Sequence, residues 1–206
     1  MTRDREQSMK RIISAAVALF HQSHDVRKVS VEEIARRAGV SPATVYHNFG
    51  NREALLLAVV KELSWQNLEA SKATLRCDLP FLQKLQQIMS GKLSLASGIG
   101  DKLLSKLMKQ EQGLAPFLEE LYQKEVKLLW KEFVQDGQRQ GYIEPDLSVE
   151  ALLIYLQVLK DGFSAHPELM EAPGQNLKLL LELSQIMFYG FLHRDVPPFD
   201  LQQPEV

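Results

Sequence analysis

A chain of 206 residues holds one large domain or a small one joined to a medium-sized one, and its 45% hydrophobic and 24% charged residues are ordinary for a globular protein with a core. The longest uncharged apolar run, Ala54 to Val60, is far short of the ~20 residues of a membrane span. Arg3, Asp4, Arg5 and Glu6 stand where a signal peptide would turn apolar, and the single cysteine, Cys77, has no partner for a disulfide, so the expected location is the cytoplasm. The net charge of −2 hides a division. Residues 1–60 hold nine Lys/Arg and six Asp/Glu, a local +3, whereas the remainder is at −5. A basic head on an acidic body suits a protein that presents one end to a polyanion.

Helical punctuation runs through the chain, and no alternating apolar/polar run bounded by hairpin turns predicts a sheet. Ile12, Ile13, Ala16, Leu19 and Phe20 give Met9–Ser23 one apolar helical face. After a short basic loop, Ser30-Val31-Glu32-Glu33 reads as a capping box, in which Ser30 accepts from an early helix N–H and Glu33 reaches back to Ser30. Ile34, Ala35 and Ala38 form the buried face of that helix, which Gly39 ends. Ser41-Pro42 starts the next helix as cap and first residue, and Gly50-Asn51 breaks it. A long helix follows from about Arg52 to Arg76. Pro80, Gly98/Gly100, Gly113/Pro116, Gly141/Pro145 and the 167–174 stretch divide the rest into about five more helices, and the proline-containing tail is expected to be extended.

The expected architecture is all-α: an N-terminal three-helix helix-turn-helix domain plus a C-terminal helical bundle, about nine helices in total. The expected divisions are 1–52 for the helix-turn-helix domain, 53–194 for an effector-binding and dimerisation domain and 195–206 for the tail.

Residues 30–49 carry the functional expectation. Small residues, Ala35 and Ala38, sit where two steeply crossing helices touch; Gly39 supplies a positive φ, and Val40 plugs the angle between the helices. The second helix is then free to enter a major groove with its N-terminal half against base edges. Ser41, Thr44, Tyr46, His47, Asn48 and Arg52 are hydrogen-bonding groups suited to DNA, and Pro42 and Ala43 offer apolar surface that suits a thymine methyl.

The same stretch resembles a known family. Ile12-Ile13-x-Ala15-Ala16-x-x-Leu19-Phe20, then Ser30-Val31-x-x-Ile34-Ala35-x-x-Ala38-Gly39-Val40-Ser41, then Thr44-Val45-Tyr46-His47-x-Phe49-x-Asn51-Arg52-Glu53-x-Leu55, is similar to the DNA-binding domain of the tetracycline-repressor (TetR) family over about residues 8–60. The resemblance implies a homodimer that binds double-stranded operator DNA, most often as a repressor, and that a small molecule entering the C-terminal body releases. It places Ser30, Thr44, Tyr46 and Arg52 on phosphate-contacting positions, and Pro42, Ala43 and His47 on positions facing bases or nearby phosphates. Ala43 stands where glycine is commonest in the family, and Met9 where a basic residue often precedes the first helix. The likeness fades beyond about residue 65 and names no effector.

In the body, Ala151, Ile154, Tyr155, Val158, Gly162 and Ala165 form a second apolar stripe beside that of Val149, Leu152, Leu153, Leu156, Leu159 and Phe163. Residues 175–193 likewise carry Leu179, Leu183, Ile186 and Gly190 on one face and Leu177, Leu180, Leu181, Met187, Phe188 and Phe191 on another. A helix apolar on two faces buries both, one in its own core and one against a twin subunit; the alternative is a single core. Ile154, Val158, Gly162, Leu179, Leu183, Ile186 and Gly190 are therefore the expected dimer interface. Met89, Met108, Phe117, Tyr122, Trp130, Phe133 and Tyr155 are either plain core or the lining of a pocket for an uncharged or lipophilic effector.

No other chemistry competes strongly. His21-x-x-His24 lacks an acid or cysteine to complete a metal set, Glu119 and Glu120 cannot face each other at adjacent positions, and no phosphate loop or nucleophile elbow occurs. No catalytic residue, metal or cofactor is expected. An enzyme is the second reading, and a helical module that binds protein through its helix-turn-helix is the third. Retardation of the DNA upstream of its own gene separates these from a regulator.

Overall fold

The computed structural model describes residues 3–109 and 113–165, together with Glu182, Leu183 and Ile186. The regular elements described are helical, in keeping with the all-α expectation. Helix α1 runs Arg3–Ser23, beginning at Arg3 where the apolar pattern alone suggests Met9. Charge extends it. Asp4 and Glu6 occupy the first turn, where the helix dipole favours acids, and Glu6 meets Lys10 one turn on at 3.0 Å. A 3₁₀ turn at Val26–Lys28 leads to α2 (Val31–Ala38) and α3 (Pro42–Phe49). Helix α4 runs unbroken from Arg52 to Arg76, as its apolar pattern and flanking breaks predict.

Beyond it lie α5 (Phe81–Ile99), α6 (Asp101–Met108) and α7 (Leu114–Leu121). A five-residue π-helical turn, Tyr122–Val126, joins α7 to α8 (Lys127–Arg139), and α9 spans Val149–Ala165. The Gly98/Gly100 and Gly113/Pro116 pairs divide helices as the sequence predicts. Of the first pair, Gly100, whose φ is +78°, makes the turn, and Gly98 lies inside α5. Pro116 sits in the first turn of α7, where a missing N–H costs no helical bond.

The chain forms two compact units. The first comprises residues 1–69 and 92–119, the second 70–91 and 120–206. The expected boundary at 52/53 lies within the first unit. The reason is the continuity of its core: Ile12, Ala16, Phe20, Ile34, Ala35 and Val45 pack in one buried cluster with Leu55, Leu56, Val59 and Leu63 of α4, against which Leu95 and Leu103 also rest. A neighbouring cluster of Val60, Ile99, Leu107 and Leu114 carries the packing on through α5, α6 and α7.

The second unit packs around Phe81, whose ring lies 4.5 Å from Phe133 and 5.3 Å from Tyr142, while Trp130 meets Phe133 edge-on at 5.4 Å. Beside these rings Lys84 donates to Asp136 at 3.0 Å, with both side chains largely buried. Burial pushes the Asp136 carboxyl up, but hydrogen bonds from Lys84, Gln140 and Arg139 outweigh it and hold the group below its ordinary value. Gln140 also accepts from the Phe81 N–H at 3.2 Å, closing the first turn of α5 with a residue from the end of α8.

Candidate nucleic-acid interface

The helix-turn-helix is built from short-range devices. Ser30 Oγ accepts the Glu33 N–H at 3.2 Å while Glu33 Oε2 accepts from the Ser30 N–H at 3.0 Å and its hydroxyl at 2.8 Å, the reciprocal box that the sequence predicts. These Ser30 bonds hold the Glu33 carboxyl below its ordinary value. At the other end Gly39 adopts φ +66° and donates to Ala35 and Arg36 carbonyls, and the Val40 N–H returns to Ala35 O at 3.0 Å. The Arg11 guanidinium donates to the carbonyls of Ala38 and Gly39, placing a cation at the negative end of α2. Ser41 Oγ then caps α3 by accepting the Thr44 N–H at 3.1 Å, and Val45, 1% exposed, keys α3 into the core.

This scaffold leaves Ser41, Pro42, Ala43, Tyr46 and His47 exposed along one stretch of α3, with Thr44 half-buried and its hydroxyl 2.9 Å from that of Ser41. Tyr46 is 44% exposed, among the large hydrophobic side chains left open to solvent. Ser30 is half-buried at the start of α2, and Arg52 is exposed at the start of α4. One expectation needs correcting. Asn48 is not on the exposed face but 8% exposed, its amide donating to Thr44 O at 2.8 Å and reaching Ser8 Oγ at 3.4 Å. One helical turn holds 3.6 residues, so a position three after Val45 and four after Thr44 comes back to the α1 side. Asn48 braces α3 against α1; it does not face outward.

Sequence reading also passed over residues that the structure brings to the site. Asp25 accepts from the backbone N–H of Arg27 and from the Nε and Nη2 that form one edge of its guanidinium, at 2.9, 2.8 and 2.9 Å. Arg27 thereby holds the Asp25 carboxyl below its ordinary value. Arg52 Nη2 donates to the carbonyls of Arg27 at 3.0 Å and Val29 at 3.3 Å. The available signal was an aspartate two residues before an arginine, a turn-capping spacing, in what reads only as a short basic loop.

The other expected sites are dispersed in the structure. Phe117 belongs to the first unit, edge-on to Trp65 at 6.4 Å and under the Lys61 ammonium, 5.4 Å from its ring centre. Met108, also in the first unit, is 37% exposed. Phe133 is buried core of the second unit with Trp130 against it; Met89 and Tyr122 are half-buried there. Tyr155, offered as pocket lining, is 39% exposed and shares its stretch of α9 with Ile154 and Val158, 58% and 63% exposed. Leu152 and Leu156 are buried, so the two stripes of α9 do separate. Gly162 is exposed with open space around it, Leu183 is half-buried and Ile186 is 67% exposed. Leu179, Gly190 and the tail 195–206 lie outside the described residues. Among the described residues, no helix is long and apolar enough to cross a membrane.

Residues 12–59 match the family described as "Bacterial regulatory proteins, tetR family". Residues 12–59 thus carry a TetR-type N-terminal domain. The chain is 41% identical over 54 residues to the HTH-type transcriptional regulator BetI of Rhizobium meliloti (strain 1021), a match covering 26% of each chain. It is 33% identical over 92 residues to the fatty acid metabolism regulator protein of Bacillus subtilis (strain 168), covering 42% of this chain and 44% of that one. These matches span less than half the length of either relative. Over nearly the whole length the fold is that of SmeT, the repressor of the Stenotrophomonas maltophilia multidrug efflux pump SmeDEF, with a TM-score of 0.55 at 17% identity, covering 96% of this chain and 97% of that chain. The fatty acid degradation regulator FadR from Bacillus halodurans gives 0.51 at 20% identity, covering 87% and 94%. The TetR fold, a helix-turn-helix domain followed by a helical body, is thus shared along the chain.

Proposed function

We propose that this protein is a TetR-family regulator that binds double-stranded operator DNA as a homodimer and represses transcription until a small, largely apolar ligand occupies its C-terminal body. The observation that carries the reading is α3: a capped helix anchored by Val45 on one side and bare on the other, where Ser41, Pro42, Ala43, Tyr46 and His47 are exposed. A major groove about 12 Å wide admits such a helix. Pro42, Ala43 and His47 face bases or nearby phosphates, and Ser30, Thr44, Tyr46 and Arg52 hold phosphates and set the register. We assign residues 1–52 to DNA binding, 53–194 to effector binding and dimerisation, and 195–206 to an extended tail. The place of action is the cytoplasm, where chromosomal operators lie.

Dimerisation is supported by the bare apolar surface of Ile154, Val158 and Ile186 in the single chain. Large aliphatic side chains left this open call for a cover, and a two-fold axis supplies the same patch on a second copy. Leu179, Leu183, Gly162 and Gly190 complete the proposed interface. Of the expected pocket residues, Met89, Tyr122, Trp130 and Phe133, which share the second unit, are the proposed effector contacts, and Tyr155 moves to the partner-facing surface. A relative named for fatty acid metabolism agrees with an apolar ligand. Because α4 runs unbroken from Arg52, a tilt of that helix would move the candidate phosphate contact directly. A coupling of about 2–3 kcal/mol between ligand and DNA is enough to release an operator, and DNA then weakens ligand binding by the same factor.

The test is gel retardation of the DNA upstream of the protein's own gene, in competition with unrelated duplex. Sequence-specific retardation that a lipophilic ligand reverses is expected. Equal competition by unrelated DNA would remove the operator reading.

A further inference from the structure

Arg52 is one of the residues proposed to hold a phosphate, yet its guanidinium does not wave in solvent. Its Nη2 is tied to the carbonyls of Arg27 and Val29. Those carbonyls point at it because the chain makes a 3₁₀ turn there, and Asp25 makes the turn. Asp25 is extended, with φ −149° and ψ 108°; its carboxylate takes the Arg27 N–H, and its carbonyl takes the Lys28 N–H at 3.1 Å. Val26, 1% exposed, pins the turn to the core. The same carboxylate grips the Arg27 guanidinium edge-on through Nε and Nη2. The guanidinium also lies close to the backbone of Gly100, where a Cβ would come 2.8 Å from Arg27 Nη1.

We propose that Asp25 is a positioning residue for DNA binding: by locking Arg27 it fixes two carbonyls that orient Arg52 toward its phosphate. The physical gain is preorganisation. A free arginine loses side-chain entropy when it grips a phosphate, whereas one whose Nη2 is already held presents its Nη1 and Nε edges with less left to lose. This rests on the DNA-binding reading of Arg52. It makes a prediction opposite in sign to simple electrostatics. Removing a carboxylate near a polyanion should strengthen binding; removing Asp25 should weaken it.

The test uses the full chain and a duplex that the wild type has selected from a random pool, with affinity measured across a range of KCl. Removing one phosphate-neutralising arginine lowers the salt slope by about 0.9, which at 0.1 M salt is about an eightfold fall in affinity. Arg52→Ala should show that change for every bound protomer. Asp25→Ala should weaken binding in the same direction with a lower slope, and the double variant should bind no worse than Arg52→Ala alone. A purely structural role for Asp25 would lower the melting temperature and leave the slope as in the wild type. If Asp25→Ala does not fold, Asp25→Asn keeps an acceptor for the Arg27 N–H while losing the ionic grip, and the same measurement decides. Unchanged or tighter binding by the Asp25 variant beside a weakened Arg52→Ala overturns the positioning role and leaves DNA binding standing. An Arg52→Ala protein with wild-type affinity and slope would remove the phosphate contact itself, and the inference with it.

Discussion

Around the candidate recognition helix, the caps and turns are closed by residues a few positions apart, Asp25 with Arg27, Ser30 with Glu33 and Ser41 with Thr44, and Arg11, Asn48 and Arg52 add longer-range bonds. In the second unit the corresponding closures join distant residues, Lys84 to Asp136 and the Phe81 N–H to Gln140. The contrast extends to apolar surface. The first sixty residues bury Ile12, Ile34, Val45 and Leu55 almost completely, whereas α9 leaves Ile154 and Val158 open. Local caps set the turns of the head, and its core runs on into α4. In the described part of the second unit, long-range anchors tie α5 to the end of α8, and α9 keeps an open face.

The contrast is open to attack, most severely at the open face. Val158→Asp or Ile186→Asp would bury an uncompensated carboxylate at the proposed two-fold, at a cost of several kcal/mol. Sedimentation should show monomers, and operator binding should collapse while the head keeps its fold; a variant that sediments as the wild type does would move the interface elsewhere. Next comes the long-range anchor. Asp136→Ala strands the buried Lys84 ammonium and should cost about 3–5 kcal/mol in urea unfolding. A loss below ~1 kcal/mol would mean that Lys84 finds water or another acceptor, and the second unit would not depend on this pair.

The same aspartate gives a pH test. Its carboxyl is held below its ordinary value of 3.8 in the fold, so its contribution is complete above about pH 4 and is lost as pH falls through its depressed value. Acid should therefore weaken the wild type more than Asp136→Asn between pH 5 and pH 2, read by urea midpoints. Smallest is the local cap. Ser30→Ala should cost about 1 kcal/mol, and Ser30→Gly less. A loss comparable with that of Asp136→Ala would erase the distinction between local and long-range closure.

That distinction also governs what the sequence makes legible. The capping box, the Gly39 turn, the Ser41 cap and the span of α4 are all readable from it, because each signal lies within a few residues of its effect. Asn48 is misplaced by such a reading because composition marks it as a hydrogen-bonding group, while its helical phase, set by Val45, turns it toward Ser8 of α1. Of the Gly98/Gly100 pair that reads as a break, Gly100 makes it, and Gly98 lies within α5 beside the Phe20 ring, where a Cβ would come within 2.6 Å. The bracing of Arg52 by Arg27 and Val29 spans more than twenty residues of chain, so no local pattern announces it. The expected pocket residues share only composition, and the structure disperses them among buried core, half-buried positions and exposed surface.

Hydroxyl-radical footprinting of the full chain on a duplex that it has selected from a random pool tests the central claim most directly. The account predicts two protected half-sites related by a two-fold, on one face of the duplex, with centres about one helical turn or more apart. It also predicts that Tyr46→Ala and Arg52→Ala weaken protection at both half-sites together without changing the sequence preferred. A single protected patch, or protection that follows no sequence, would contradict it.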